Sequence, residues 1–460
     1  MKIPDKFITS IKKSAGAENV LTEVADCWPY GSDNSKQHAQ PDLVVYATNC
    51  EQIQSIVQLC NQYKIPIIAR GRGTGTTGAT VPANGGLVLS FERMNKILEV
   101  NTNNRYLIAQ PGVTNMEIQK AAAEHGFFWP PDPTSAEFCT LGGNLAYNSA
   151  GPIAVKYGTP RENTLGLTAI TGKGEKINTG VHTTKGVVGY DLTRLLIGSE
   201  GTLAIICEAI LKLTPSPESI ATLQILYTDI QYAADAIANI MSQPVIPRSL
   251  EFIDKTAIEM IRHYSDINLP SAGAMLMVEV DGNKQTLIHS ISAIETAASN
   301  AGIISIKAAS TEQERQSLWR TRKALSPALR TIAPKKINED VVVPVSNIPA
   351  LLEGLEKISR QFHIPIVNFG HAGNGNIHTN LLIDPANKQQ AENAEPCLSQ
   401  VFDLVLSLNG TISGEHGIGL VKREFVSREI DPVTLDLMRR IKSQFDPSDI
   451  LNPGKMLPDK

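Results

Sequence analysis

The amino-acid sequence predicts an α+β protein built of two domains. Its 460 residues are too many for one ordinary hydrophobic core. Short strands and glycine- or proline-rich loops fill the chain up to about residue 213, and Thr214-Pro-Ser-Pro-Glu218 then forms the clearest break in the pattern. Beyond it helices and strands alternate, as expected for helices packed on one face of a sheet. We therefore place a domain boundary between residues 215 and 216.

The first domain opens with a strand, a helix and a second strand. Residues 42–47 are rich in strand formers, and apolar residues recur at helical spacing over 53–63. Residues 65–69 have the pattern of a buried strand, which enters the glycine-rich loop 70–78. A further strand is predicted at 86–91. In the second domain the helical patterns lie at 229–242, 284–301, 347–362 and 388–408, with strands at 274–280 and 340–345 between them.

The composition is typical of a globular protein in a reducing cytoplasm. Apolar residues make up 42% and charged residues 19% of the chain, and the net charge of −4 gives no reason to expect a nucleic-acid partner. No apolar run is long enough to span a bilayer, and no secretory signal is evident. The cysteines lack C-x-x-C spacing, which argues against a disulfide framework or a thiolate metal site. They are Cys27, Cys50, Cys60, Cys139, Cys207 and Cys397.

The glycine-rich loop has the formal pattern of a nucleotide-binding turn. Gly73-Thr-Gly-Thr-Thr-Gly78 matches G-x-G-x-x-G, and Glu99 lies about where a Rossmann acid would be. A Rossmann turn needs a helix directly after the glycines, whereas here a strand follows. Small residues can still form a nest of backbone N–H groups that holds phosphate, and the alternative is a flexible surface loop.

A second stretch of small polar residues favours a large ligand. Residues 130–135 contain three prolines, and 140–151 are rich in glycine, asparagine, serine and threonine. A buried loop of this kind carries many backbone polar groups that need hydrogen-bond partners. Two such loops suit an extended dinucleotide better than a small anion.

The strongest signal for chemistry lies in the second half of the chain. His371 and His378 flank a Gly-Asn-Gly-Asn turn between two strand-like segments, so that a hairpin can bring both imidazoles to one point. With Glu415 they make a set of two histidines and one carboxylate, which suits zinc best, with manganese or iron(II) as alternatives. His416 is then left for proton transfer, unless it serves as a fourth ligand. The competing interpretation of the pair is two hydrogen-bonded structural histidines.

Six short motifs, spread over most of the chain, resemble one family. They are Arg70-Gly-x-Gly-Thr-Gly, Pro131-Asp-Pro-Thr-Ser135, Leu141-Gly-Gly-Asn144, Lys156-Tyr-Gly158, Gly198-Ser-Glu-Gly-Thr-Leu203 and Asn452-Pro-Gly-Lys455. Together they resemble the FAD-linked oxidases related to vanillyl-alcohol oxidase. Within that superfamily the chain is similar to the flavin-dependent D-2-hydroxyacid dehydrogenases, a group that includes D-lactate dehydrogenase, D-2-hydroxyglutarate dehydrogenase and the flavin subunit of glycolate oxidase.

The resemblance implies a fold and a cofactor. It implies a two-part FAD-binding domain over 1–215, an α+β substrate or cap domain over 216–425, and a C-terminal segment, 426–460, that packs back on the FAD domain. Some relatives attach FAD through a histidine in the first glycine loop; this loop has none, so we expect non-covalent FAD. The residues implied to hold it are Gly71, Arg72, Gly73, Thr74, Gly75, Gly78, Thr134, Gly142, Gly143, Asn148, Glu200 and Ile205.

The resemblance also implies site roles. Its metal ligands fall on His371, His378 and Glu415, which raises the case for a metal, zinc above all. Oxidation of a 2-hydroxyacid sends a hydride from Cα to flavin N5 and a proton from the hydroxyl to a base, for which His416 is suited. The substrate carboxylate needs a fixed cation. The family's Trp-x-x-Arg pattern places this role on Arg322, and Asn380 is expected to hydrogen-bond the substrate.

The substrate's side chain and the electron acceptor are less constrained. Relatives that act on five-carbon diacids can have a lysine where this sequence has Asn338, although Lys335 and Lys336 are close by. D-Lactate is therefore favoured over 2-hydroxyglutarate, and a flavin subunit of a multi-subunit glycolate oxidase is the other alternative. Electrons would pass to a quinone, a cytochrome, or a flavoprotein or iron–sulfur partner. A homodimer and a peripheral position on the inner membrane face are both compatible with the sequence. A metal-dependent hydrolase would leave the two polar loops unexplained.

Overall fold

The computed structural model divides the chain into two compact units. It describes residues 3–264, 267, 269–309, 311–323, 325 and 335–459. The first unit comprises Met1–Gly151, Gly158–Ser216 and Glu415–Lys460, and the second comprises Pro152–Tyr157 and Pro217–Gly414. The sequence suggested boundaries at 215/216 and 425/426. In the structure the chain leaves the second unit at Gly414, and a short excursion at Pro152–Tyr157 also belongs to that unit.

Two main sheets form the first unit. The first has the order β1 (Val20–Leu21), β2 (Leu43–Tyr46), β4 (Leu87–Ser90), β3 (Ile67–Arg70). Strands β2 and β3 run parallel to β4, and β1 is antiparallel to β2. The second sheet is antiparallel, in the order β5 (Ile97–Asn101), β6 (Tyr106–Ala109), β10 (Ala204–Lys212), β8 (Thr164–Thr171), β9 (Lys176–Gly180). A small pair, β7 (Phe127–Phe128) and β11 (Thr214–Pro215), completes the unit.

The helices of the first unit begin and end where the sequence provides caps. Helix α3 (Cys50–Tyr63) is N-capped by Asn49, whose side chain accepts from the backbone N–H of Gln52, and its C-cap Lys64 has the left-handed conformation. Helix α4 (Asn115–Ala123) has a capping box between Thr114 and Glu117. The helices are α1 (Asp5–Ala15), α2 (Val24–Cys27), α3 (Cys50–Tyr63), α4 (Asn115–Ala123), α5 (Leu141–Tyr147), α7 (Leu192–Leu196), α14 (Val426–Glu429) and α15 (Pro432–Phe445).

The second unit is built on one antiparallel sheet of seven strands. Their order is β15 (Ile303–Ala309), β12 (Ser219–Tyr227), β14 (Ala274–Gly282), β13 (Ser249–Asp254), β17 (Ile366–His371), β18 (Asn376–Ile383), β16 (Lys335–Val342). The helices described in this unit are α6 (Ala154–Tyr157), α8 (Ile230–Ser242), α9 (Lys255–Tyr264), α10 (Lys284–Ala298), α11 (Glu312–Lys323), α12 (Ile348–Phe362) and α13 (Lys388–Ser407). An apolar cluster from α9 and α11 packs with residues of β13, β14 and β17, including Ile253, Met275 and Val367. The predicted α+β arrangement is confirmed.

The predicted hairpin between the two histidines is present. Strand β17 ends at His371, a short 3₁₀ turn covers Ala372–Asn374, and β18 returns from Asn376. Gly375 makes the turn possible because its φ of 75° lies in the left-handed region that side chains disfavour. A Cβ at this position would also overlap the carbonyl oxygen of Val343.

Replacing Gly375 should therefore damage the hairpin. We expect Gly375→Ala to destabilise the protein by about 1–2 kcal/mol for the left-handed backbone and by about 1–3 kcal/mol more for the clash. The neighbouring Asn374→Ala is the control: Asn374 is exposed in the same turn, and its loss should cost less than about 0.5 kcal/mol. Thermal and denaturant unfolding would measure both. Equal losses for the two variants would contradict this account of the turn.

Candidate active site

The first unit contains a cleft of about 610 Å³, part of which is open to solvent. It lies at the ends of β3 and β10 and beside α5. The lining includes five of the residues expected to hold FAD, namely Gly71, Gly142, Gly143, Glu200 and Ile205. The other expected residues of the first glycine loop are not among those that line it; they are Arg72, Gly73, Thr74, Gly75 and Gly78.

The glycine loop after β3 is arranged to leave its N–H groups available. No helix follows it, as the sequence indicated, and the chain runs to β4 instead. Neighbouring residues use its carbonyl groups: the backbone N–H of Asn34 donates to Gly75 at 2.9 Å and its side chain to Thr74 at 3.2 Å. Within the described part of the chain, no backbone N–H of residues 72–78 donates a hydrogen bond to the protein. Such a row of unused donors fits the pyrophosphate of a dinucleotide.

Two hydroxyl groups in the cleft give a second test of fit. Thr140 precedes α5 and Tyr147 ends it, and both line the cleft. Their hydroxyl oxygens are buried and, among the described residues, have no partner at hydrogen-bonding geometry. Buried polar groups are rarely left without a partner, so a polar ligand such as FAD fits this surface.

Glu200 ties the C-terminal part of the chain to the cleft. Its carboxylate accepts from the backbone N–H groups of Ile418 and Gly419 at 2.6 and 2.8 Å, and its carbonyl accepts from the Asn452 side chain at 2.7 Å. Burial raises the pKa of Glu200, although these hydrogen bonds oppose the rise. The Thr77 hydroxyl donates to the carbonyl of His416 at 3.3 Å. His416 thus belongs to the unit that forms the cleft.

Two other residues expected to line FAD have different surroundings. The side-chain oxygen of Asn148 accepts from the Arg161 backbone N–H at 3.1 Å and from the Thr159 hydroxyl at 3.0 Å. Thr134 lies in a turn after the proline-rich stretch. Neither residue is among those that line the cleft, so their contact with FAD stays a prediction.

In the second unit the hairpin brings His371 and His378 together. Their ring centroids are 5.2 Å apart and the ring planes are nearly perpendicular, at 83°. Both side chains are buried. Asn380 points to the same sheet face as His378, two residues along β18. Its amide donates to the carbonyls of Val367 and His378 at 3.2 Å, while its buried oxygen has no partner among the described residues.

Glu251 connects this pair to the expected substrate arginine, and the sequence analysis missed it. One carboxylate oxygen is 2.5 Å from Nδ1 of His371, and the other accepts from Nε of Arg322 at 2.8 Å. Burial alone would raise the pKa of Glu251, but the contacts with His371 and Arg322 outweigh burial and hold it at about 2. The available signal was a carboxylate between the apolar residues Leu250 and Phe252 in the fully buried strand β13.

Helix α11 presents Arg322 to the sheet through a pattern visible in the sequence. Trp319 and Arg322 are three residues apart and so share one helix face. The indole N–H of Trp319 donates to Glu279 on β14 at 2.7 Å, while Arg322 bonds Glu251 on β13. The Arg322 guanidinium also lies over the Phe369 ring, 4.7 Å from its centroid. The Trp-x-x-Arg motif therefore attaches α11 to the sheet at two points, one through Trp319 and one through Arg322.

Glu415 stands where the chain passes from the second unit to the first. The preceding residue, Gly414, donates its N–H to the Asp340 carboxylate at 2.8 Å. Asp340 is the direct cross-strand neighbour of His378 in the β16–β18 pairing. In the first unit, one carboxylate oxygen of Glu415 accepts from the Gly151 N–H at 3.0 Å.

The donor chemistry of the two histidines fits a divalent metal. Glu251 engages Nδ1 of His371, so the nitrogen suited to ligation is Nε2. A carboxylate behind a histidine is the usual support of a metal-ligating imidazole, because it fixes the tautomer and the ring orientation. The assignment of His371, His378 and Glu415 as ligands stays a prediction.

A nest of backbone donors, a cleft with unsatisfied hydroxyls and a second α+β unit define a flavoprotein of the two-domain type. A model of an FAD binding domain matches residues 41–180, and a model of the C-terminal domain of FAD linked oxidases matches residues 216–456. The chain belongs to the FAD-linked oxidase family, and the prediction of a flavin-dependent oxidoreductase is confirmed.

Curated relatives match nearly the whole chain. The glycolate oxidase subunit GlcD of Bacillus subtilis is 39% identical over 444 residues, which cover 96% of this chain and 94% of the relative. A D-lactate dehydrogenase of Archaeoglobus fulgidus is 36% identical over 425 residues, or 91% and 92% of the two chains. A D-2-hydroxyglutarate dehydrogenase of Stutzerimonas stutzeri is 31% identical over 462 residues, or 98% of each chain.

Solved structures share the fold at low identity. A p-cresol methylhydroxylase with substrate bound has a TM-score of 0.80 at 17% identity, covering 99% of this chain and 97% of its own. A 4-ethylphenol oxidase from Gulosibacter chungangensis has a TM-score of 0.78 at 19% identity, covering 100% and 99%. They confirm the predicted vanillyl-alcohol oxidase type of fold and no more than the fold.

Removing the Thr140 hydroxyl should have opposite effects on the stability of the FAD-free protein and on the affinity for FAD. Thr140→Val should leave the FAD-free protein unchanged or more stable by up to about 1–3 kcal/mol, because a buried group without a partner is removed. It should weaken FAD binding about five-fold if the hydroxyl bonds the cofactor. Thr202→Val is the control, since that hydroxyl donates to the Ser199 carbonyl at 2.7 Å and its loss should destabilise the FAD-free protein. Calorimetry and FAD titration would measure both. A less stable FAD-free Thr140→Val would contradict the assignment.

Proposed function

We propose that this protein is an FAD- and divalent-metal-dependent dehydrogenase that oxidises a D-2-hydroxyacid to the 2-oxoacid. One observation carries the proposal: Glu251 holds a metal-competent histidine and an anion-binding arginine side by side on one sheet face. A 2-hydroxyacid offers the matching pair of groups, a hydroxyl for a metal and a carboxylate for the arginine. The names of the curated relatives, which cover glycolate, D-lactate and D-2-hydroxyglutarate, support this substrate class.

The reaction needs a hydride acceptor and a proton acceptor. FAD, when bound, takes the hydride from the substrate Cα. The hydroxyl proton must go to a base, and His416 is assigned this role because imidazole accepts protons near neutral pH. The hydrogen bond of Thr77 to the His416 carbonyl attaches this residue to the glycine loop of the cofactor cleft, which supports a base close to the flavin.

His371, His378 and Glu415 are proposed to hold the metal, zinc above all. The two histidines face each other across the hairpin. Glu415 directly follows Gly414, whose N–H donates to the carboxylate of Asp340, the cross-strand neighbour of His378. A divalent metal there would lower the pKa of the substrate hydroxyl and orient the substrate.

Arg322 and Asn380 are proposed to bind the substrate. The contact of Arg322 with Glu251 uses Nε, and a carboxylate would bind the outer edge of the guanidinium, where the two Nη groups form a fork. The Asn380 side chain, whose buried oxygen has no partner among the described residues, is suited to hydrogen-bond the substrate. Both residues belong to the second unit, which we therefore assign to substrate recognition.

The position of Asn338 bears on the size of the substrate. It pairs directly with Asn380 across β16 and β18 and so shares the face of the sheet that carries His378. A neutral amide there offers no cation to the second carboxylate of a diacid. We therefore favour D-lactate over D-2-hydroxyglutarate.

A second candidate is the flavin subunit of a multi-subunit glycolate oxidase. The observation in its favour is the relative from Bacillus subtilis, a subunit by name, which matches 96% of this chain. All six cysteines are buried and free, so an iron–sulfur centre would come from another chain. No helix among the described residues is long and apolar enough to cross a membrane. The electrons are proposed to pass to a quinone, a cytochrome or a partner protein.

Stopped-flow reduction of the bound flavin should identify the substrate. We expect D-lactate to bleach the flavin rapidly and L-lactate not to, with glycolate and D-2-hydroxyglutarate slower. Asn338→Lys should shift the preference towards D-2-hydroxyglutarate by about five-fold, since an ion pair at a partly buried site contributes on the order of 1 kcal/mol. Purified protein that contains no flavin and cannot be reconstituted with FAD would refute the proposal. Slow turnover with copurified iron–sulfur proteins would favour the second candidate.

Two histidine variants should separate metal binding from proton transfer. His371→Ala should abolish metal content and flavin reduction while FAD stays bound. His416→Ala should keep the metal and lose flavin reduction by about 10²–10⁴-fold, the usual contribution of a general base. His289→Ala is the control, because His289 is an exposed residue of α10 in the second unit. Elemental analysis and stopped-flow absorbance would measure the outcome, and loss of metal from His416→Ala would make His416 a ligand instead.

A further inference from the structure

Glu251 divides its two carboxylate oxygens between two partners of different function. Oε1 meets Nδ1 of His371 and Oε2 meets Nε of Arg322, and the whole side chain is 1% exposed. The register of the sheet enforces this position, because Glu251 pairs directly with His371 across β13 and β17. Arg322, which lies on helix α11, donates from Nε to the other oxygen.

The contact with His371 decides which ring nitrogen is available to a metal. A carboxylate acceptor holds the proton on Nδ1 and so presents the lone pair on Nε2. The negative charge also makes the imidazole a stronger ligand. Without Glu251, both tautomers and several ring orientations become accessible, and the metal must select one of them.

The contact with Arg322 fixes the orientation of the guanidinium. An arginine side chain has many rotamers, and holding it in one of them costs entropy when an anion binds. Here Glu251 holds Nε and the Phe369 ring supports the guanidinium face. The orientation of the edge that carries the two Nη groups is therefore fixed before an anion binds.

We propose that Glu251 is a positioning residue shared by the metal and the substrate carboxylate, so that one side chain sets the affinity for both. This inference rests on the proposed function, because it uses the metal and carboxylate roles assigned there. It goes further in predicting that a residue expected to touch neither ligand controls both sites.

Glu251→Gln tests the division of the carboxylate. Glutamine removes the negative charge that both partners share, and its NH₂ group must face either the Nε–H donor of Arg322 or Nδ1 of His371, whose proton would then move to Nε2. Glu279 on β14 is the control, since Thr222 and Trp319 both donate to the same oxygen, Oε1, while Oε2 lies 3.4 Å from Nε of Arg248. Glu279→Gln can therefore keep both hydrogen bonds through its amide oxygen, and it gives up only the ion pair with Arg248, which stays paired with Asp281.

The measurements use the FAD-loaded protein stripped of metal. Zn²⁺ affinity is measured by calorimetry, and pyruvate affinity by the change in flavin absorbance with Zn²⁺ saturating. We expect Glu251→Gln to lose about 10–100-fold in Zn²⁺ affinity, as other supports of metal ligands do, and about ten-fold in pyruvate affinity. Arg322→Met should lower only the pyruvate affinity, and Glu279→Gln should change neither by more than about three-fold.

The outcomes separate this inference from the proposed function. Wild-type protein that binds no Zn²⁺ would refute the proposed metal site and the shared role together. If the wild type binds Zn²⁺ and pyruvate but folded Glu251→Gln binds both as tightly, the shared role alone is wrong. Loss of only one affinity would assign Glu251 to that partner and likewise overturn the shared role. Equal losses in Glu279→Gln would show a general effect of the sheet.

Discussion

The pairing of β13, β17 and β18 is the constraint on which the proposed chemistry depends. The two pairings set Glu251 opposite His371 and Phe369 opposite His378. Since cross-strand neighbours point to the same face, these side chains converge without any loop having to hold them. A shift of register by one residue would turn them to the other face. The site is therefore as rigid as the sheet that carries it.

Burying three ionisable groups in contact is tolerated because Arg322 offsets the charge of Glu251 and His371 hydrogen-bonds its other oxygen. Glu251 would be costly alone in the interior, yet Arg322 and His371 each satisfy one of its oxygens and lower its pKa to about 2. Such a cluster adds little to stability compared with apolar packing, and removing one member leaves an uncompensated charge. Its presence is better explained by orientation of the partners than by folding free energy.

In the first unit the backbone is prepared for the ligand in a different way. The carbonyl groups of the glycine loop are used by neighbouring residues, while its N–H groups at 72–78 have no protein acceptor within the described residues. Glu200 holds Ile418 and Gly419, and the Ile67 N–H donates to the Ile450 carbonyl at 2.7 Å, so the end of the chain braces the strand that precedes the loop. The C-terminal segment is thus part of the cofactor unit although it is distant in sequence.

Local pattern alone determined several elements, such as β2, α3 and α8, and with them the break near residue 216, the non-Rossmann glycine loop and the hairpin of His371 and His378. These features depend on residues close together in the chain, where spacing and turn chemistry suffice. The strand predicted at 340–345 lies at Lys335–Val342 instead, and β13 and α9 were not predicted. The short motifs determined the family. Only the tertiary structure decided the contacts of Glu251, because its partners lie 71 and 120 residues away and no pattern within β13 indicates them. The tertiary structure also decided that Pro152–Tyr157 belongs to the second unit, where Lys156 hydrogen-bonds Asp281. It likewise decided that the chain re-enters the first unit at Glu415, where the N–H of Ile418 donates to Glu200.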